Sequence, residues 1–141
     1  MIKHTARALP QAKRRRFSLE QANRSLVLVG RIVSDVVNEH MRMLELLQLL
    51  EHHQSCGHEH QLMQTRNQLH RSIERFKRFL EEIDELGVLL VDWTKGIVEF
   101  PSFDGDREIC LVWQLGRQEV SSWCQIGDEY QPIETLTCSG K

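Results

Sequence analysis

Five residues with metal-ligand chemistry fall within one short stretch of this sequence: His52, His53, Cys56, His58 and His60. Imidazole and thiolate are the donors that zinc, nickel and copper take, and four of them complete a tetrahedral site. Their spacing matches no established finger pattern. The plain alternative is a solvated polar turn. Zinc or nickel are the metals this set would suit, and no organic cofactor is expected.

Other candidates are scattered. His40 interrupts an apolar seam, either as a polar residue that sets helix register or as a partly exposed side chain where helices diverge. Cys124 follows Trp123 in a β-rich run, where a packed thiol is the usual case and a catalytic thiol would need a base. Together with Trp113, these three define an expected ligand pocket between helices and sheet: His40, Trp113, Trp123 and Cys124. Asp104, Asp106 and Glu108 lack the ligand count of a calcium loop. The run Lys13, Arg14, Arg15, Arg16 suffices for weak, salt-sensitive contact with phosphates but reads no sequence, so nucleic acid is not the expected partner. No phosphate loop, nucleophile elbow or zincin motif is present.

The elements that must position these residues follow from periodicity. Ser18 and Gln21 stand in the capping-box relation, and apolar residues then recur at alternating steps of three and four. Leu19, Ala22, Leu26, Val29, Val33, Val36, Met43, Leu47 and Leu50 carry this coiled-coil-like pattern. The pattern predicts a helix over about 18–53, roughly 50 Å long at 1.5 Å per residue. Val27, Leu28, Ile32 and Val37 widen its apolar stripe beyond what one partner helix covers. The segment 51–60 breaks the pattern, with Gly57 the expected reversal. Leu62, Leu69, Ile73, Phe76, Leu80 and Ile83 then predict a second, antiparallel helix over about 59–86, closed by Gly87.

Beyond Gly87 the period changes to that of strands. Runs at about 88–93, 97–100, 108–115 and 119–126 are separated by turns at Thr94–Gly96, Ser102–Asp106 and Gly116–Gln118. Pro101 is expected to end the second run, and the tail from Gly127 to be irregular. The fold class is therefore α+β: a long antiparallel helical hairpin, then an antiparallel meander of three to four strands. Residues 17–133 form its single domain, between a basic arm over 1–16 and an irregular tail over 134–141.

With 141 residues, 40% of them hydrophobic, the chain can bury one ordinary core. Its net charge of −2 argues neither for nor against nucleic acid, and the first 24 residues carry seven basic side chains against Glu20 alone. The N-terminus lacks the apolar stretch of a signal peptide, and no apolar run approaches the ~20 residues of a membrane span. A cytoplasmic protein with reduced Cys56, Cys110, Cys124 and Cys138 is the expectation.

Several segments together resemble a known family. They are Phe17-Ser-Leu-Glu-Gln-Ala-Asn23, Glu85-Leu-Gly-Val88, Gly96-Ile-Val-Glu-Phe-Pro101, Leu111-Val-Trp-Gln-Leu-Gly116 and Ser122-Trp123. They look like an uncharacterised bacterial family catalogued as domain of unknown function 2203, over about residues 17–133. The resemblance supports the fold boundaries and implies no activity. This chain departs from the family pattern near its end. Cys124 and Gln125 stand where members commonly have His-Glu, Arg117 stands in place of an acid, and an arginine usual before Gln-Pro is lost around Glu129–Pro132.

Three functional expectations result. The leading one is a non-enzymatic interaction or scaffold module that self-associates through the stripe on helix 1. The second is a metal-binding protein using the cluster over 52–60. The third is an enzyme or small-ligand site at the expected pocket.

Overall fold

The computed structural model describes residues 15–136. Helix α1 spans Leu19–Cys56 and helix α2 Glu59–Glu85. Five strands follow: β1 Leu89–Asp92, β2 Ile97–Asp104, β3 Arg107–Gln114, β4 Ser122–Gln125 and β5 Gln131–Pro132. A short 3₁₀ turn, Ile133–Thr135, closes the described chain. The two helices pack on each other as a hairpin, and the strands form one antiparallel sheet in sequence order.

Local chemistry accounts for the helix limits. The Ser18 hydroxyl accepts the amide N–H of Gln21 and the Gln21 side chain accepts that of Ser18, each at 3.0 Å, so the capping box is complete. Gly57 ends α1 in the left-handed region at φ 71°, where a side chain would be strained. The helix thus runs three residues past the expected limit of 53. His52, His53 and Cys56 are helical rather than part of a turn. At the other end of the hairpin Arg15 crosses Gly87 and donates to the Leu86 carbonyl at 3.3 Å, satisfying the exposed end of α2.

Arg15 also lies over the Phe17 ring, and Arg16 lies over Phe103 and 3.9 Å from Glu108. These two arginines are therefore docked on the body rather than part of a loose arm. Lys13, Arg14 and Cys138 lie outside the described residues.

The strands differ from their expected limits in three places. Pro101 does not end β2, which continues to Asp104. A residue's N–H and C=O point to the same side of a strand. The Pro101 carbonyl faces the β1 side, where it accepts the Phe17 N–H at 2.8 Å. The missing proline N–H faces that same side, past the last β1 pairing at Glu99, so the β3 ladder loses no bond. The fourth strand is shorter than 119–126, because Asn23 of α1 captures the Val120 N–H at 2.7 Å and holds that residue out of the ladder. The tail is not wholly irregular: Gln131 and Pro132 pair with Trp123 and Ser122 as β5, making five strands rather than three or four.

The main core lies between the hairpin and one face of the sheet. Val98, Phe100, Ile109, Leu111, Trp113 and Trp123 meet Val29, Ile32, Val33 and Val36 of α1 and Phe76 and Ile83 of α2. Ile32 and Val37, which widened the helix 1 stripe, are taken up by this core, whereas Val27 stays 78% exposed. The half of the hairpin nearer Gly57 has little buried apolar surface, with Leu46 the last buried hydrophobic residue of α1. A second, smaller cluster of Val91, Ile97, Cys110, Val112 and Cys124 lies on the opposite strand faces, as side-chain alternation requires. No helix among the described residues is long and apolar enough to cross a membrane.

Candidate metal centre and buried polar groups

The helical extension of α1 builds the ligand cluster. Four residues apart on one helix, His52 and Cys56 share a face, with Cys56 Sγ 3.9 Å from a ring nitrogen of His52. Gly57 then reverses the chain, and His58 folds back against the same turn. One ligand atom from each of His52, Cys56 and His58 lies within 4.8 Å of the others, and all three residues are exposed. Tetrahedral zinc with bonds of about 2.0 and 2.3 Å separates two nitrogens by about 3.3 Å and a nitrogen–sulfur pair by about 3.6 Å. The His52–Cys56 distance is already close to that value.

His53 joins the set through His58, their Nδ1 atoms 3.3 Å apart. Local desolvation and the neighbouring His52 and His58 hold His53 below the usual imidazole range, favouring the neutral, ligating form. His60, in the first turn of α2, is exposed and is not part of the three-residue group. His58 also occupies the N-cap position of α2, yet its side chain makes no capping hydrogen bond. A residue placed only to start the helix would be expected to cap it.

The expected pocket of His40, Trp113, Trp123 and Cys124 is not assembled. His40 is half-buried on α1, its ring 6.0 Å from Phe76 and 6.4 Å from Trp93. Trp113 fills the core, donating its ring N–H to the Arg117 carbonyl at 2.9 Å. Trp123 donates to the Thr135 hydroxyl at 2.9 Å, with Arg107 over its ring. Cys124 belongs to the cluster on the other sheet face. The tryptophans are core residues with satisfied N–H groups. Nor do the acids at the β2–β3 turn form a site: Asp104 pairs with Arg107 at 2.6 Å.

Two polar arrangements had no clear sequence signal. In mid-hairpin, Glu39 accepts hydrogen bonds from Ser72 and from both Arg75 Nε and Nη2, the latter two at 3.1 and 3.2 Å. Burial alone would raise the Glu39 carboxyl, but these bonds and the Arg75 and Arg42 charges outweigh it and hold it below the usual range. This pair is a polar link between the two helices, whereas His40 meets α2 through the Phe76 ring. On the outer sheet face, Tyr130 donates to Glu99 at 2.8 Å across from Cys110 and Cys124. Burial and the Glu99 carboxylate push the Tyr130 hydroxyl far up, and a hydrogen bond with Cys124, burial and Glu99 do the same to the Cys110 thiol.

No curated protein and no solved structure gives a significant match to the chain. A family match does cover most of it. Matched over residues 15–131, the chain belongs to the family described as uncharacterized conserved protein, DUF2203.

Proposed function

We propose that this protein binds a borderline transition-metal ion of the zinc class at the tip of its helical hairpin. The observation that carries the reading is the convergence of His52, Cys56 and His58 within 4.8 Å. Two imidazoles and a thiolate suit zinc or nickel better than calcium or magnesium, which take oxygen ligands. His53 supplies the fourth donor by replacing its contact with His58. Bound metal would tie the last turn of α1 to the first residue of α2. Calorimetric titration at pH 7.5 tests the proposal. One ion should bind with a dissociation constant of about 1 µM or tighter, near 8 kcal/mol. Cys56→Ser should abolish the heat at these concentrations. No binding by wild type at micromolar zinc or nickel ends the idea.

A second reading rests on a different observation. Met41, Leu44 and Leu47 are 56, 49 and 47% exposed on α1, beyond the part covered by the sheet. Side-by-side association of two hairpins would bury them, as an isologous pair. Light scattering at high micromolar concentration should then report a dimer that Leu44→Glu dissociates. A strict monomer rejects this reading and leaves metal binding untouched.

A further inference from the structure

The sheet places two thiols directly opposite each other on the face away from the helices. Cys110 of β3 and Cys124 of β4 are register partners, and both are reduced thiols. Directly opposed residues of antiparallel strands have Cα atoms about 4.5–5.5 Å apart. That falls inside the 4.4–6.8 Å that a disulfide spans. As register partners on one sheet face, the two side chains project to the same side, within one cluster. We infer that Cys110 and Cys124 form a redox site, a cross-strand dithiol that a small peroxide converts to a disulfide locking β3 to β4.

The surroundings favour neutral sulfur. Cys110 is 6% and Cys124 1% exposed, and the Glu99 carboxylate lies beside Cys110. Burial and a neighbouring negative charge both oppose a thiolate, so neither a metal-thiolate pair nor a standing nucleophile suits the site. Dithiol and disulfide are both neutral, and the site holds either without burying a new charge. Low exposure restricts the oxidant to a small one, and a peroxide is small enough.

The chemistry balances. Cys110 is the more exposed and reacts first: its sulfur attacks one peroxide oxygen while its S–H proton passes to the departing hydroxide, so that no thiolate has to stand in the site. The O–O bond breaks, leaving a sulfenic acid and the first water. The Cys124 sulfur then attacks the sulfenic sulfur. The S–S bond forms, the S–O bond breaks, and hydroxide leaves with the Cys124 proton as the second water. Two thiols are oxidised and one peroxide is reduced to two waters.

The test uses the full chain and hydrogen peroxide, raised until exposed Cys56 is oxidised, which serves as an internal control. Remaining thiols are alkylated under denaturing conditions and the peptides are mapped without reduction. The expected result is a Cys110–Cys124 linked peptide lighter by two hydrogens than its separate parts, released by dithiothreitol. The melting midpoint of the oxidised protein should rise by about 6–12 °C, since the bond closes a loop of roughly 15 residues. Recovery of Cys110 and Cys124 as alkylated thiols while Cys56 is oxidised overturns the inference. Pairing of either with another cysteine, or their oxidation to sulfinic acid, overturns it equally.

Discussion

Replacing His58 by serine should separate what the residue does for folding from what it does for metal. At the N-cap of α2 His58 makes no capping bond, so a serine hydroxyl able to accept an amide N–H of the first turn adds stability. The backbone there has ψ 79°, against 165° at the fully capped Ser18, so the gain falls at the low end of capping energies, about 0.5 kcal/mol. Without metal, the variant should melt about 1–2 °C higher than wild type. With metal, the order reverses. Zinc at 100 times its dissociation constant should stabilise wild type by about 2.7 kcal/mol, or roughly 5–10 °C. Loss of one of three convergent ligands should weaken binding by about 100-fold and remove most of that shift. Differential scanning calorimetry of both proteins, with chelator and with zinc, measures all four midpoints. A variant that keeps the full zinc shift would refute the assignment of His58 as a ligand. A destabilised apo variant would refute the claim that its helix-capping position is unused.

Glu39→Gln should cost about 1–2 kcal/mol in urea denaturation at pH 7, since it removes the charge from a bidentate pair whose arginine is part-exposed. Because the Glu39 carboxyl is lowered in the fold, its contribution is full above the unfolded carboxylate range and disappears as pH falls through the folded value. The wild-type acid limb between about pH 5 and 3 should therefore be steeper than that of Glu39→Gln. The Cys110 thiol and Tyr130 hydroxyl are raised, so the unfolded chain loses these protons first as pH rises. Reduced protein should lose stability above about pH 9, by up to about 1.4 kcal/mol per pH unit for each proton retained, and Cys110→Ala should flatten that limb. Gly30→Ala should stabilise α1 by about 0.5–1 kcal/mol, because the added methyl meets the Trp113 ring at an ordinary 3.5 Å. Gly96→Ala should destabilise by more than about 2 kcal/mol in the same denaturation assay, with φ 74° and its methyl 2.7 Å from Leu115 Cβ.

Where local chemistry decides structure, the sequence was readable. Ser18 and Gln21 cap α1, Gly57 reverses the chain and Gly96 closes the first hairpin, each through groups a few residues apart. Where a distant partner decides, it was not. Pro101 stays in β2 because Phe17 and the short β1 leave its side of the strand undemanding. Val120 leaves the ladder because Asn23 takes its N–H. Glu39, beside His40, makes a polar contact across the hairpin, and only its partners Ser72 and Arg75, over thirty residues away, single it out. The ligand cluster was legible as composition, but its geometry was hidden by the end of the apolar pattern before His52. The helix continues there to Cys56 beyond the apolar pattern, and that continuation aligns His52 with Cys56. Strand limits of 108–115 and 119–126 already set residue 110 opposite 124. They do not reveal that this pair lies on the sheet face away from the helices.

The departures from the family pattern gain a physical meaning from that face. A histidine at position 124, which the family resemblance implies, would stand on the side of the sheet that holds Glu99 and Tyr130. Here that position is a thiol opposite a second thiol, with a carboxylate beside the pair that opposes its ionisation. Proton transfer at neutral pH needs a group that exchanges its proton near that pH, and both Cys110 and Tyr130 are pushed away from it. A thiol pair at this place therefore favours the proposed oxidant-started chemistry over proton transfer. Titratable, exposed ligands are concentrated instead at the other end of the molecule, on helix termini beyond the core. Metal bound there would order the hairpin tip without repacking the sheet, whereas peroxide would reach both the proposed dithiol and the exposed candidate ligand Cys56.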